Sequence, residues 1–231
     1  MKTIGMIGGL SWESSAVYYS LMNKLVKEKL GGYHNCKSVM LTVDFAEIEL
    51  LQRAGDWAKM DELMADAASK LEAAGADVVI LCTNTMHLCS EAIRGSISVP
   101  FLHIAEATGR AIVKQGAKKV ALLGTSFTME KDFYKTLLKE EFGIETIIPE
   151  KGDRDKVHRV IYEELVNGEI KDESRKMYQE VIGKLEAQGA EGVILGCTEI
   201  PMLISDKDVN IPTFNTTEIH AAMAVDWATA E

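Results

Sequence analysis

An internal duplication constrains this chain more than any other feature. Lys70, Leu71, Glu72, Ala73, Gly75, Ala76, Val79, Ile80 and Leu81 are echoed in order by Lys184, Leu185, Glu186, Ala187, Gly189, Ala190, Val193, Ile194 and Leu195. Continuing in the same register sets Cys82, Thr83, Asn84 and Thr85 against Gly196, Cys197, Thr198 and Glu199. The flanking stretches repeat as well: residues 4–8 match 120–124, and Val99, Pro100 and Glu106 match Ile211, Pro212 and Glu218. A chain of 231 residues that repeats itself in this way is expected to form two lobes of similar size, each with its own core. Thr83 and Cys197 then take equivalent places, and such paired places suit a reaction that treats the two sides of a planar intermediate alike.

Short apolar runs bounded by glycine alternate with amphipathic stretches, which is the pattern of β/α units and a parallel sheet. The pattern predicts strands over 3–7, 38–43, 78–81, 101–102, 120–123, 145–148, 192–195 and 213–214. It predicts helices over 13–30, 57–74, 104–115, 129–142, 154–167 and 172–188. The fold class is therefore α/β, with two pseudo-symmetric lobes, each a parallel sheet flanked by helices. The first lobe is expected over 1–100 plus 211–231, with the helix containing His220 crossing back onto it, and the second over 101–210. Ligands in such sheets bind beyond the carboxyl ends of the strands, where helix N-termini offer free N–H groups. Four predicted strands end in polar sets: Gly8 to Ser11, Thr83 to Thr85, Gly124 to Ser126 and Cys197 to Glu199. The Gly8-Gly9 pair lacks the spacing of a dinucleotide fingerprint and is followed by no P-loop lysine.

A net charge of −10 supplies no positive field for nucleic acid or an anionic membrane surface. No apolar run is long enough to span a bilayer, and Met1-Lys2 lead into an apolar strand with no signal-peptide segment, so a cytoplasmic location is expected. The four cysteines form no CxxC pair. Cys82, His87 and Cys89 lie close in sequence but lack a fourth ligand at zinc-site spacing, so no metal is expected. With no pyridoxal-lysine motif in view, no cofactor is expected either. Proton transfer at carbon would then fall to side chains, and a thiolate near a helix N-terminus, its pKa lowered there, is one of few able to serve. Cys197, at the end of an apolar run, fits that description.

These residues, namely 7–14, Thr83 to His87, 123–125 with Thr128 and Met129, Gly196 to Glu199, and Ile219 to Ala221, together resemble the aspartate/glutamate racemases, essentially end to end. The resemblance implies two flavodoxin-like lobes, a homodimer, pyridoxal-independent racemisation of an acidic amino acid in the interlobe cleft, and substrate carboxylate binding by Asn84, Thr85, Thr125 and the Thr198 turn, with Ser11 from the first glycine turn. The family usually carries a cysteine in each half. This chain has Thr83 in the first, with Cys82 displaced one residue upstream and so onto the opposite face of an extended segment. It looks like a member of a subgroup with this Thr/Cys pairing, which favours L-aspartate or L-glutamate. Cys197 is then the base and Thr83 the weak acid. Gln52 and Arg53 are candidates for the substrate's side-chain carboxylate, since guanidinium binds carboxylate bidentately, although a surface arginine reads the same way. Glu199 is a candidate to hold the second turn. His87 and His220 either orient a turn, tune the thiolate, or are ordinary structural histidines. The basic cluster of Lys151, Arg154, Lys156, His158 and Arg159 reads as a solvated helix start. Rival readings are a single-cysteine decarboxylase or cis-trans isomerase of small dicarboxylates, and a weakly active amino-acid-binding protein.

Overall fold

The computed structural model describes residues 1–230. In chain order the elements are β1 (Ile4–Gly8), α1 (Trp12–Leu30), β2 (Ser38–Thr42), α2 (Phe45–Ala54), α3 (Trp57–Ala73), β3 (Val78–Leu81), a 3-10 turn (Thr85–Cys89), α4 (Ser90–Ser96) and α5 (Ile104–Gln115). They continue with β4 (Lys119–Gly124), α6 (Ser126–Glu130), α7 (Asp132–Phe142), β5 (Glu145–Ile147), α8 (Lys151–Glu163), a 3-10 turn (Leu165–Asn167), α9 (Asp172–Ala187), β6 (Val193–Gly196), α10 (Ile200–Leu203), β7 (Thr213–Asn215) and α11 (Thr216–Thr229).

The first compact unit is Met1–Ile104 together with the stretch from His220 onward. Its parallel sheet runs in the order β2-β1-β3, with a bridge from Val79 to Phe101. Side chains alternate between two buried faces, as the two-residue period of a strand requires. Ile7, Val79 and Leu81 pack with Met60, Met64 and Leu71 of α3. Ile4, Met6, Val78, Ile80 and Cys82 pack with Tyr18, Met22 and Val26 of α1 and with Ala221, Ala224, Val225 and Ala228 of α11. Burial on both faces is why β3 reads as an unbroken apolar run. Cys82 is 0% exposed and burial pushes its thiol pKa far up, so it is a core thiol.

The second unit is Ala105–Ile219, with parallel order β5-β4-β6-β7. Ala121, Leu123, Val193 and Leu195 pack with Val157 and Ile161 of α8, Tyr178, Ile182 and Leu185 of α9, and Ile200 and Leu203 of α10. Along α5, the Tyr134 hydroxyl donates to Thr108 Oγ1 at 2.9 Å, and the Phe142 ring fills the space where Gly109 would carry a Cβ.

The duplication persists to individual hydrogen bonds. The turn from α3 to β3 uses Gly75 N–H to Glu72 O at 2.9 Å and Ala76 N–H to Leu71 O at 3.0 Å. The turn from α9 to β6 uses Gly189 N–H to Glu186 O at 2.8 Å and Ala190 N–H to Leu185 O at 3.0 Å. Gly75 and Gly189 take φ of 90° and 93°, a region that suits glycine. Val79 N–H donates to Pro100 O and Val193 N–H to Pro212 O, both at 2.9 Å.

Sequence repeat and compact unit do not coincide, however. The chain leaves the first unit after Ile104, so that α5 joins the second, and returns at His220, so that most of α11 joins the first. Residues 211–219, expected with the first lobe, belong to the second unit because β7 pairs with β6. Other differences are local. Residues 101–102 make only a bridge, the helix expected over 129–142 is divided where Lys131 turns extended (φ −72°, ψ 150°), and α2 and α4 were not expected.

Candidate active site

The polar sets at the strand ends are built by turn chemistry. At the end of β1, Gly9 has φ 84°, and a Cβ there would collide with the backbone of Val43. Its N–H donates to Ser15 Oγ at 2.9 Å, Ser15 Oγ donates to Ser11 O at 3.1 Å, and Ser11 caps α1 by accepting from Ser14 N–H at 3.2 Å. The first glycine turn is thus held by the serines just beyond it. At the end of β4, Thr125 caps α6 by accepting from Thr128 N–H at 3.3 Å, and the two hydroxyls are 3.2 Å apart. The next amide, Ser126 N–H, donates to His158 Nδ1 at 3.2 Å. Burial holds His158 below its ordinary pKa, which keeps that lone pair available. Arg154 reaches Glu130 and Pro149 O, so the expected solvated cluster is in part a brace for this turn.

At the end of β3, Thr83 N–H donates to Leu81 O at 2.9 Å, and Thr83 O accepts from His87 Nδ1 at 2.8 Å. His87 Nε2 accepts from Ile104 N–H at 3.1 Å. Asn84 and Thr85 are buried beside it. Burial, reinforced by His103 and His220, pushes the His87 pKa well below its usual value. His220 donates Nε2–H to Leu102 O at 2.9 Å and accepts from the Tyr18 hydroxyl at Nδ1, also 2.9 Å. Its pKa is pushed down to about 4, and that of His103 to about 3, mainly by burial. His87 and His220 are therefore neutral near pH 7, and the first of them holds the Thr83 carbonyl. Gln52 is buried with Nε2 3.3 Å from Met86 Sδ, within reach of the same turn. The Arg53 side chain is 78% exposed at the end of α2 and pairs with Glu49 one helical turn back.

At the end of β6, Cys197 Sγ donates to Glu199 Oε2 at 2.8 Å, and Thr198 Oγ1 donates to the same oxygen at 2.7 Å. The expected low thiol pKa is reversed: burial pushes Cys197 well above its ordinary value, and the neighbouring Glu199 charge adds to the shift. The next helix has only four residues, and the residue at its N-cap is Glu199 itself, so a carboxylate stands where a helix dipole was expected to favour a thiolate. The resting group is a thiol with a proton acceptor attached.

Sequence reasoning did not single out Ser15, His103 or Tyr18, and it read His158 only as part of a basic run. Ser15 could have been found from the Ser14-Ser15 pair behind the glycines. His158 could not, because its contact with Ser126 spans 32 residues of sequence. Among the described residues no group of three or more His, Cys, Asp or Glu side chains is placed to hold a metal ion, and no helix is long and apolar enough to cross a membrane.

Comparison with solved structures gives a protein of Yersinia pestis assigned as an Asp/Glu racemase, 50% identical with a TM-score of 0.95 over 100% of each chain. An aspartate racemase homologue from Pyrococcus horikoshii OT3 is 35% identical with a TM-score of 0.88, again over 100% of each chain. The broad specificity amino-acid racemase of Bacillus subtilis is 27% identical over 74% of this chain and 73% of its own length. The family model described as Asp/Glu/Hydantoin racemase matches residues 7–224, which spans all four strand-end turns, and the chain belongs to that family.

Proposed function

We propose that this amino-acid racemase inverts an acidic amino acid, aspartate or glutamate, by moving the α-proton directly between side chains, with Cys197 on one face of the substrate carbon and Thr83 on the other. The observation that carries the reading is the Cys197–Glu199 hydrogen bond in a family whose activity is racemisation. As the α-proton passes to sulfur, the sulfur's own proton passes to Glu199 Oε2, so a free thiolate never has to stand in a half-buried site beside a carboxylate. Thr83 Oγ1 then hands its proton to the carbanion from the opposite face and regains one from water, while Glu199 returns its proton to solvent, so that the enzyme is back in its resting state. The reverse reaction runs the same steps backwards. Asn84, Thr85, Thr125, Thr198 and Ser11 supply donors for the substrate carboxylate, where negative charge develops. Gln52 is retained for the side-chain carboxylate and Arg53 is set aside. A homodimer and a cytoplasmic location complete the reading.

Enantiomers have equal free energy, so kcat/KM is the same in both directions, and a threonine slows both together. It makes proton exchange unequal instead: Cys197 washes solvent isotope into the enantiomer it faces faster than the mirror image accumulates. The test is NMR in D₂O with L- and D-aspartate and L- and D-glutamate. Cys197→Ala abolishes exchange, and Thr83→Cys speeds inversion. Unchanged inversion in Thr83→Cys would remove Thr83 from the reacting carbon.

A further inference from the structure

Thr83 carries its hydroxyl directly on Cβ, a single torsion away from the main chain, so the direction of that hydroxyl is set by the backbone that bears it. We propose that His87 is a positioning residue for Thr83, fixing the carbonyl of the turn through its Nδ1–H, an inference that rests on the proton-transfer role proposed above. Two bonds define the ring. The Ile104 amide can only donate, so Nε2 presents its lone pair; Nδ1 therefore holds the proton that Thr83 O accepts. The ring also has little room to swivel, with its centroid 4.5 Å from His103, 5.5 Å from Phe101 and 5.7 Å from His220.

The tautomer and the neutral state depend on one another. A second proton on the ring would sit on Nε2, against the Ile104 N–H, and would remove that acceptor. The groups packed around the ring oppose it: His103 and His220 face it directly, Tyr18 reaches it through His220, and Arg94 acts on His103. None of these four supplies a negative charge at neutral pH that would favour an imidazolium.

The second unit has no histidine at the corresponding place. The position equivalent to His87 in the repeat is Pro201, which has no side-chain donor, and the Cys197 turn is tied down by Glu199 instead. His87 thus belongs to the acid half of the reaction alone, which separates it from a residue that merely keeps the protein folded.

That separation is measurable. Asparagine at 87 keeps an amide donor near the Nδ1 position and loses the contact with Ile104, whereas glutamine reaches the Nε2 position and loses the donor to Thr83. With inversion followed by chiral separation and isotope wash-in by NMR in D₂O, His87→Gln should slow inversion by ~10-fold or more, since small misplacements of a reacting group cost up to ~100-fold. Wash-in at the enantiomer that Cys197 faces should stay within about 2-fold, because it does not use Thr83. His87→Asn should retain inversion to within about 3-fold. Equal losses in the two variants, or parallel loss of wash-in and inversion, overturn the proposal. In the unmutated protein, ¹⁵N-histidine spectra should show His87 as the Nδ1–H tautomer and His220 as the Nε2–H tautomer, unchanged between about pH 8 and about pH 6, on either side of the ordinary histidine pKa. A His87 ring protonated on Nε2 overturns it without any variant having to fold. Absence of wash-in with the unmutated protein would sink the racemase reading first, and this proposal with it.

Discussion

The turn after β3 and the turn after β6 occupy equivalent places in the duplication, and the hydrogen bonds that lead into them agree to about a tenth of an ångström. Beyond the strands the two diverge. Thr83 has its carbonyl held by a neutral histidine, with no carboxylate at the position equivalent to Glu199, which is Thr85. Cys197 has its thiol hydrogen-bonded to a carboxylate that also accepts from Thr198. The duplicated scaffold sets where each residue stands, and the residues one to four places beyond the strand differ in what they attach to it, a histidine on the Thr83 carbonyl and a carboxylate on the Cys197 thiol.

The largest effect should come from removing that carboxylate. Glu199 acts on Cys197 in two opposed ways: its charge raises the thiol pKa, and its oxygen offers a place for the proton. In Glu199→Gln the first effect is lifted, which makes thiolate easier to form, and the second is lost. If proton acceptance governs the reaction, inversion and wash-in near neutral pH fall together by ~100-fold, the lower end of what general bases contribute. The rate of the variant should then climb with pH as thiolate forms. A faster variant at neutral pH would mean that Glu199 only hinders Cys197, and the contrast drawn between the turns would fail.

A second difference concerns acid. His220 and His103, with pKa values pushed down to about 4 and about 3, both lie in the first unit. A histidine with a folded pKa below its unfolded value of 6.5 refuses protons that the unfolded chain accepts. Its stabilisation is complete above pH 6.5 and is lost as pH falls towards 4. For His220 alone the loss over that window is on the order of 3 kcal/mol. Among the described residues the second unit has one such group, His158, held below 6.5 by burial, against His87, His103 and His220 in the first, and its depressed Asp153 contributes stability that is lost only below the unfolded value of 3.8. Hydrogen exchange at about pH 4.5 against about pH 7 should therefore show α1 and α11 losing protection before α8 and α9. Loss of protection in the opposite order would refute the assignment of acid sensitivity to the histidines.

These contrasts were unevenly legible in the sequence. The parallel sheets and the equivalence of Thr83 with Cys197 could be read because buried strands demand apolar runs, and helix-ending glycines with φ near 90° admit few substitutes. The inward-facing Cys82 came from strand alternation. The state of the thiol was not legible, because a helix N-terminus was assumed where the chain makes a single turn headed by Glu199. For Arg53 the sequence left a substrate-binding and a surface role open; α2 was not foreseen, and on that helix Arg53 lies one turn from Glu49, which pairs with it.

The smallest effect tests the likeness on which the contrast depends. Gly75 and Gly189 share a left-handed backbone, and a Cβ would find nothing within 4 Å at the first and only Lys119 Cδ at 3.8 Å at the second. Alanine at either site therefore meets strain without collision, so its cost is the backbone term alone, on the order of 1–2 kcal/mol. If the two scaffolds are energetically as well as geometrically equivalent, chemical denaturation should give the two variants the same loss to within about 0.5 kcal/mol, and the double variant their sum. A gap of more than about 1 kcal/mol would show that one unit relaxes where the other does not. The divergence between the halves would then begin in the framework, ahead of the turns that carry Thr83 and Cys197.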